Sequence, residues 1–546
     1  MSRKVLFRSD IAFEPRVNGW YAWPFLIYPP TLGMITNNNH LKLLESYVKS
    51  PQVHINAARD PSLIGGPFIN YQGDVANVEQ FARDTRASLA ELSGLANQVF
   101  AFHERLNALD GSSVEPLYAD LPSELRGITE LTYDIRSRPA LRLIEALVYE
   151  KFSTDRFQSL RLIKSDMDNR PFALSTPCFA GDPGFVLQVP FASSDVDTLM
   201  AAKHEPIEFD TLAALVGKLS NGACGPEQLE HLVTEQPRAP NPGAEFDGEG
   251  LRVRYFAHAS ALIQSRNVSI MVDPFIPSAD ANGIPSFSDL DLPERIDYVL
   301  LTHNHSDHVL FETLLQIRSR IGAIVVPKTS GNGITDPSLK MILNSCGFPN
   351  VIELGELESI ALPQGAITGL PFLGEHGDMN IIGKLGYAIR DNGASTMFLA
   401  DSNNLDTDMY RLIANKLGRI DTIFIGMECR GAPMSWLYGS FLTKGLTRSQ
   451  DQSRRLNGSD CERAYNLVSC FKPNSVFVYA MGAEPALRFI SSISYDDESE
   501  PILESNLLVE KLRNEDIYAA RLFGKREILI AHGRMKLVGD AVPEPF

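Results

Sequence analysis

Cysteine is sparse and scattered in this chain. Cys178, Cys224, Cys346, Cys429, Cys461 and Cys470 are its six, and no two form a CxxC pair. That spacing excludes a dense disulfide framework and fits reduced, cytosolic thiols, most of them packed in the core. Long hydrophobic runs are also missing: no window of 18 or more apolar residues occurs, so no transmembrane helix is expected. The opening residues MSRKVLFRSDIAFEPRVNGW carry basic side chains but no apolar stretch, so no secretory leader is expected either. Positive charge is in deficit, with 50 Lys+Arg against 67 Asp+Glu and a net charge of −17. Such a balance disfavours a nucleic-acid backbone or an anionic membrane surface as the main partner. Repeats with periods of 20 to 50 residues and low-complexity tracts are absent too.

What remains is globular: 44% hydrophobic and 21% charged residues over 546 positions, too long for one ordinary core. The boundary suggests itself at Cys224 to Gly250, where Pro226, Pro237, Pro240, Pro242, Gly243, Gly248 and Gly250 gather. Proline fixes φ and removes a backbone donor, so the second half of this stretch reads as an exposed connector. The expected division is residues 1–230, a linker at 231–250, and 251–546. The first region mixes elements. Val78 to Leu109 has apolar residues at three-to-four spacing and predicts one or two helices, and the segment from Leu141 predicts another. Trp20, Tyr21, Trp23, Phe25 and Tyr28 form an aromatic cluster, which fits core and interdomain packing, or else a recognition surface.

After the connector, strands alternate with helices and hairpins. Leu251 to Tyr255, Ala261 to Ile263, Val268 to Val272, Asp297 to Leu301 and Ile321 to Val326 predict strands, with a helix over Leu310 to Ile317. Further strands are predicted at Tyr387 to Ile389, Thr396 to Leu399, Thr422 to Ile425 and Ser475 to Tyr479. The pattern is layered α/β with mixed sheets. The strand at Asp297 runs straight into His303-x-His305-x-Asp307-His308. Three of only 11 histidines fall within six residues there, which argues against a coincidental polar loop. Imidazole and carboxylate suit zinc or iron, and four such groups are too many for one open catalytic ion. Two adjacent ions are expected, His303 and His305 on one, Asp307 and His308 on the other.

This motif resembles the metallo-β-lactamase superfamily, and the likeness implies its four-layer αββα fold behind an N-terminal mixed α+β domain. Tyr255 to Ser260 with Met271 to Pro274 is similar to that fold's opening strands, and Asp273 is expected to brace the metal loop by hydrogen bonds. Leu399-Ala400-Asp401-Ser402 resembles the later strand that ends in an aspartate bridging both ions. A third group on the first ion is expected in Gly374-Glu375-His376-Gly377-Asp378. His376 is nominated by the superfamily's hydrolases. Glu375 would instead enrich the site in hard oxygen ligands, which favour Fe(III) and O2 chemistry. Adjacent residues on an extended segment point apart, so one of the two should reach the ion. The usual late histidine is missing after Val476 to Tyr479; Glu428 and His532 are candidate substitutes.

Taken whole, the chain resembles one offshoot of the superfamily, the diiron β-hydroxylase of chloramphenicol biosynthesis and its relatives in other nonribosomal peptide pathways. Val17 to Pro24, Gly65 to Ile69, the His303 to His308 motif, Glu375 and Asp401 carry that likeness. It implies two irons held by His303, His305, Asp307, His308, Glu375 and Asp401, with Glu375 and Asp401 at the centre of the chemistry. It also implies O2 as co-substrate, an external electron donor such as a reductase, and hydroxylation of the β-carbon of an amino acid held as a thioester on a peptidyl carrier domain. The N-terminal region is then expected to serve carrier docking and homodimerisation without supplying a metal ligand. A dizinc hydrolase of thioesterase or lactonase type is the alternative; intact ligand positions argue against a non-enzymatic scaffold.

Overall fold

The computed structural model describes residues 3–60, 63, 65–165, 170–277, 283–331 and 333–539. Two large sheets dominate its C-terminal half. The first has eight strands in the spatial order Val351–Leu354, Ile321–Pro327, Ile296–Leu300, Ser269–Val272, Ser260–Gln264, Leu251–Ala257, Arg526–Ala531 and Arg534–Val538. The second has seven, in the order Ser359–Leu362, Gly365–Leu370, Gly386–Asp391, Ala394–Phe398, Thr422–Gly426, Ser475–Tyr479 and Tyr518–Arg521. Their central strands are rich in β-branched and aromatic residues and buried throughout, as befits sheets covered on both faces.

The inner faces meet in one apolar layer, where Val253, Ile263 and Val272 pack with Tyr387, Phe398 and Phe424. Outside the second sheet, Thr407–Leu417, Cys461–Phe471 and Glu500–Arg513 cover Met397, Ile423 and Val476. Outside the first, Phe311–Ile317 and Leu339–Ser345 lie over Met271, Val299 and Ile324. This is the expected αββα order. Every strand expected from Leu251 to Tyr479 is present, with ends shifted by a residue or two. Ser359–Leu362, Gly365–Leu370, Tyr518–Arg521, Arg526–Ala531 and Arg534–Val538 were not anticipated, being short or half exposed.

The N-terminal region packs onto the outer face of the first sheet in a continuous core. Val75–Ser88 and Ala90–Asn107 form two helices, as the periodicity allows. The helix expected from Leu141 is a correction: Pro139–Leu143 is a strand paired with Thr129–Tyr133, and the helix runs only from Glu145 to Lys151. Proline at 139 and the alternating Leu141 and Leu143 favour a hairpin edge over a helix start. Trp20, Tyr21, Trp23, Phe25 and Tyr28 are all buried, so they are core and present no recognition surface. The proline-rich stretch is tied at its start, where Val233–Thr234 pairs with Leu6 and Phe7, and again where Arg238 clasps Asp289 with two bonds of 2.9 Å. All six cysteines are free, Cys224 and Cys346 buried and the others half-buried.

A charged network crosses between the two regions. The Glu14 carboxylate is buried beside Arg16 at 2.7 Å, Arg161 at 3.2 Å and Arg170 at 3.4 Å. Arg170 and the Tyr21 hydroxyl in turn reach Glu312 on the helix under the first sheet, at 2.8 and 2.9 Å. Burial alone would raise the Glu14 pKa, but the three guanidinium groups overcome it and hold the group down to about 2. A depressed carboxylate stabilises the fold above its unfolded pKa and loses that contribution as pH falls through the folded one. Glu14→Gln is therefore expected to cost roughly 3 kcal/mol at pH 7, with the gap to wild type closing as pH drops from 4.5 towards 2. Denaturation curves at several pH values measure this, and a pH-independent difference would contradict it.

Candidate metal centre

Parallel strands end side by side, and that topology assembles the site. Ser269–Val272 and Ile296–Leu300 run parallel in the first sheet, so Asp273, just past the former, meets Thr302, just past the latter. Asp273 accepts from the Thr302 backbone N–H at 2.8 Å, from its hydroxyl at 2.7 Å, and from His308 Nδ1 at 2.7 Å. Ala394–Phe398, Thr422–Gly426 and Ser475–Tyr479 are parallel in the second sheet, and Asp401 and Glu428 follow the ends of the first two. Ala400 donates its N–H to the Tyr479 hydroxyl at 2.9 Å. Both sheets thus deliver their carboxyl ends to one cleft, the usual ligand position in layered α/β folds.

Backbone strain concentrates here. His258, Asp273, Glu375 and Ala400 adopt φ of 50°, 37°, 64° and 45°, a region that side-chain-bearing residues rarely enter and that the surrounding structure must enforce.

Three triads of ligand atoms, each within 4.8 Å of one another, fall in the cleft: His303, His305 and Glu375; His303, His308 and Asp401; and His258, Asp307 and His308. His305 Nδ1 lies 3.0 Å from Glu375 Oε1, and His308 Nε2 lies 3.0 Å from Asp401 Oδ2. The second triad joins the other two through shared histidines, so Asp401 stands between two adjacent positions. All six expected residues, His303, His305, Asp307, His308, Glu375 and Asp401, are brought together. Among the described residues, no triad draws on the N-terminal region.

The alternatives separate cleanly. His376 is buried and stacked on His305 at 4.7 Å, its Nδ1 directed to the Gly374 carbonyl at 3.4 Å, and it joins no triad. Glu428 lines the cleft beside Asp307, Glu375 and Asp401. His532 is a correction: it sits exposed on a hairpin turn, 3.0 Å from Glu249, away from the centre. Two participants escaped sequence reasoning. His258 faces Asp307 at 3.4 Å while its Nδ1 accepts from Gly482 N–H at 3.0 Å; its place between two paired strands was the available signal. Tyr438 bonds His305 Nε2 at 2.7 Å from 133 residues away, and no local pattern points to it.

The electrostatics ask for cations. Burial, then Asp401 and further carboxylates, push Glu375 and Glu428 well above the ordinary carboxylate range. Burial drives His303 and His376 well below the usual imidazole value and His305 down to about 4. His308 goes the other way: burial is outweighed by Asp401, Asp273 and Asp307, which hold it well above. Asp401 Oδ1 is buried without a hydrogen-bond partner, a cost that a cation would remove. The donors are imidazole nitrogen and carboxylate oxygen with no sulfur, and His303, His305 and Glu375 make a two-histidine, one-carboxylate set of the kind that binds non-haem iron. Two irons fit these residues.

A cavity of about 450 Å³ opens over the centre, lined by Asp307, Glu375, Asp401 and Glu428, by Arg430 and Arg455, and by Gly65 and Gly66 from the N-terminal region. The Trp436 indole N–H donates to the Gly65 carbonyl at 2.6 Å and joins the two regions across this wall.

Comparison with known proteins agrees from end to end. Residues 6–237 match the family described as diiron non-heme beta-hydroxylase N-terminal domain, and residues 269–436 match the beta-lactamase superfamily domain. The 4-amino-L-phenylalanyl-[CmlP-peptidyl-carrier-protein] 3-hydroxylase of Streptomyces venezuelae is 37% identical over 527 residues, covering 95% of this chain and 99% of that protein. The crystal structure of CmlA, a diiron beta-hydroxylase from Streptomyces venezuelae, superposes with a TM-score of 0.89 at 35% identity, covering 97% of this chain and all of that one. A UPF0173 protein of Pyrococcus abyssi is 30% identical over only 23% of this chain.

Glu375 and His376 give separable outcomes. Glu375→Ala is expected to lose at least one of two bound metal ions per chain, whereas His376→Ala retains both. Metal analysis of the purified variants decides it, and the reverse pattern would assign the position to His376.

Proposed function

We infer the reaction from one premise: the chain belongs to the diiron non-haem β-hydroxylase family. It is an oxidoreductase with a metallo-β-lactamase fold, and its cofactor is a pair of irons that work with O2. The dizinc hydrolase alternative falls with that membership.

The substrate proposed is an amino acid carried as a thioester on a peptidyl carrier domain during nonribosomal synthesis of a peptide antibiotic, hydroxylated at its β-carbon. The observation that carries this reading is the relative's activity on a carrier-bound aminoacyl group, matched over 99% of its length. When bound, two irons supply the oxidising power that places one oxygen atom of O2 on an unactivated C–H bond, the other leaving as water with two electrons from a donor.

The chain's own residues are assigned as follows. His303, His305 and Glu375 would hold one iron and Asp307 and His308 the other, with Asp401 within reach of both groups; Glu428 faces the same space. Asp273 and Thr302 fix the ring of His308, and Tyr438 fixes that of His305, so each imidazole presents its remaining nitrogen in one orientation. Trp436, Leu437, Ile490 and Ile493 line the cleft, keep water scarce around the target carbon and position it.

Residues 251–546 form the catalytic unit in this proposal, 231–250 the connector, and 1–230 the carrier-docking region. An electron-donating reductase completes the reaction, because O2 needs two electrons that the substrate does not provide. Homodimerisation is kept as part of the reading through surfaces other than Trp20 to Tyr28. No helix of the described residues is long and apolar enough to cross a membrane, and a cytoplasmic setting is proposed.

The iron-loaded enzyme, with a reductant and 18O2, is expected to add one labelled oxygen to the β-carbon of a carrier-loaded amino acid and to leave the free amino acid unchanged. Mass spectrometry of the released amino acid reads the label. Two zincs per chain, with thioester cleavage and no O2 uptake, would overturn the hydroxylase reading; equal turnover of the free amino acid would overturn carrier docking.

A further inference from the structure

Glu375 stands at the apex of a strained turn. The Gly374 carbonyl accepts from the His376 N–H at 2.8 Å and Glu375 has φ of 64°, the arrangement of the rare γ-turn with positive φ. Gly374, Gly377 and Asp378 also adopt left-handed φ, of 82°, 54° and 58°. A loop of this kind keeps its shape only where its surroundings enforce it. Two cations do so here. Lys384 Nζ donates to the Gly374 carbonyl at 3.0 Å, and Arg454 Nε donates to the Gly377 carbonyl at 2.8 Å.

Lys384 also lies close to the histidines of the metal motif. Its Nζ is 5.6 Å from the centre of the Phe372 ring, which meets the His303 ring edge-on at 5.4 Å. Its backbone is fixed on both sides. Asp336, fully buried, accepts from the Ile382 and Gly383 N–H groups, each at 3.1 Å. Leu385 donates its N–H to the carbonyl of Thr302, the neighbour of His303, at 2.8 Å. An ammonium has three N–H donors and no lone pair, so Lys384 cannot itself bind a metal. Burial lowers its pKa from the usual lysine value, opposed by Glu375, Asp336, Asp378 and Glu356. Among so many carboxylates it stays charged at neutral pH.

We propose that Lys384 is a positioning residue for the iron assigned above to His303, His305 and Glu375. Its ammonium pins the Gly374 carbonyl, which holds the turn and so aims the Glu375 carboxylate into the cleft. Its fixed charge makes that iron easier to reduce, because a cation nearby disfavours the more positive Fe(III) relative to Fe(II). The inference rests on the hydroxylase reading and its ligand assignment.

The test compares wild type with Lys384→Met, which has similar length but neither charge nor donor, and Lys384→Arg, which keeps both. Iron per chain is counted, and the midpoint potential of the iron pair is read by redox titration of the full-length, iron-loaded protein. Lys384→Met is expected to shift the potential to more negative values. Its kcat should fall about tenfold, the size of one charge-assisted hydrogen bond, with KM for a loaded carrier little changed. Lys384→Arg should stay near wild type in all three. A Lys384→Met protein that loses iron supports the proposal if Lys384→Arg restores it, and overturns it if Lys384→Arg does not. An unchanged potential in an iron-loaded Lys384→Met protein also overturns it. Should Lys384→Met not fold, Lys384→Gln, likewise uncharged, is read the same way. A wild-type protein that holds two zincs and shows no redox transition would overturn the hydroxylase reading itself, a failure distinct from two irons that ignore Lys384.

Discussion

Four carboxylates, Asp307, Glu375, Asp401 and Glu428, share one cleft, and their mutual repulsion is the constraint on which the rest of the structure depends. Buried like charges cannot all remain ionised unless cations lie among them. Nitrogen ligands alone would not create this demand, and exposed acids would satisfy it with water. The fold meets the constraint by bringing the ends of both sheets to one place, by holding four residues there at left-handed φ, and by surrounding the acids with three histidines from a single turn. Two irons supply the counter-charge that these carboxylates require.

Rigidity around that centre comes from long-range bonds. Asp273 ties the loop of the histidine motif to the adjacent strand, Tyr479 steadies Ala400, and Tyr438 reaches His305. Among the described residues the N-terminal region contributes to none of the triads, and yet it completes the cleft, through Gly65 and its bond from Trp436. The Glu14, Arg170 and Glu312 network holds that region against the helix beneath the first sheet. A separate domain that merely docked a partner would not need to share a wall of the reaction space.

Much of the centre was legible in the sequence because chemistry and proximity coincide there. His303, His305, Asp307 and His308 are consecutive enough that any strand feeding them produces a cluster. Asp401 sits at the end of a hydrophobic run, where a parallel strand must stop. Glu375 and His376 could be narrowed to a pair, but which one faces inward depends on a local φ of 64° that propensity does not reveal. Tyr438, His258 and the Gly65 wall were hidden because their role is set by tertiary contact across tens to hundreds of residues. His532 misled for the converse reason: a suitable side chain near the right strand order carries no information about which sheet end it occupies. The helix expected at Leu141 failed where proline and alternation competed with an apolar run short enough to read either way.

The central claim is that two irons flank Asp401. Anomalous diffraction from crystals of the iron-loaded protein, collected on both sides of the iron absorption edge, tests it most directly. The account predicts two peaks of iron per chain, one beside His303, His305 and Glu375, the other beside Asp307 and His308, with the Asp401 carboxylate shared. A single peak, or two peaks with no change across the iron edge, would contradict it.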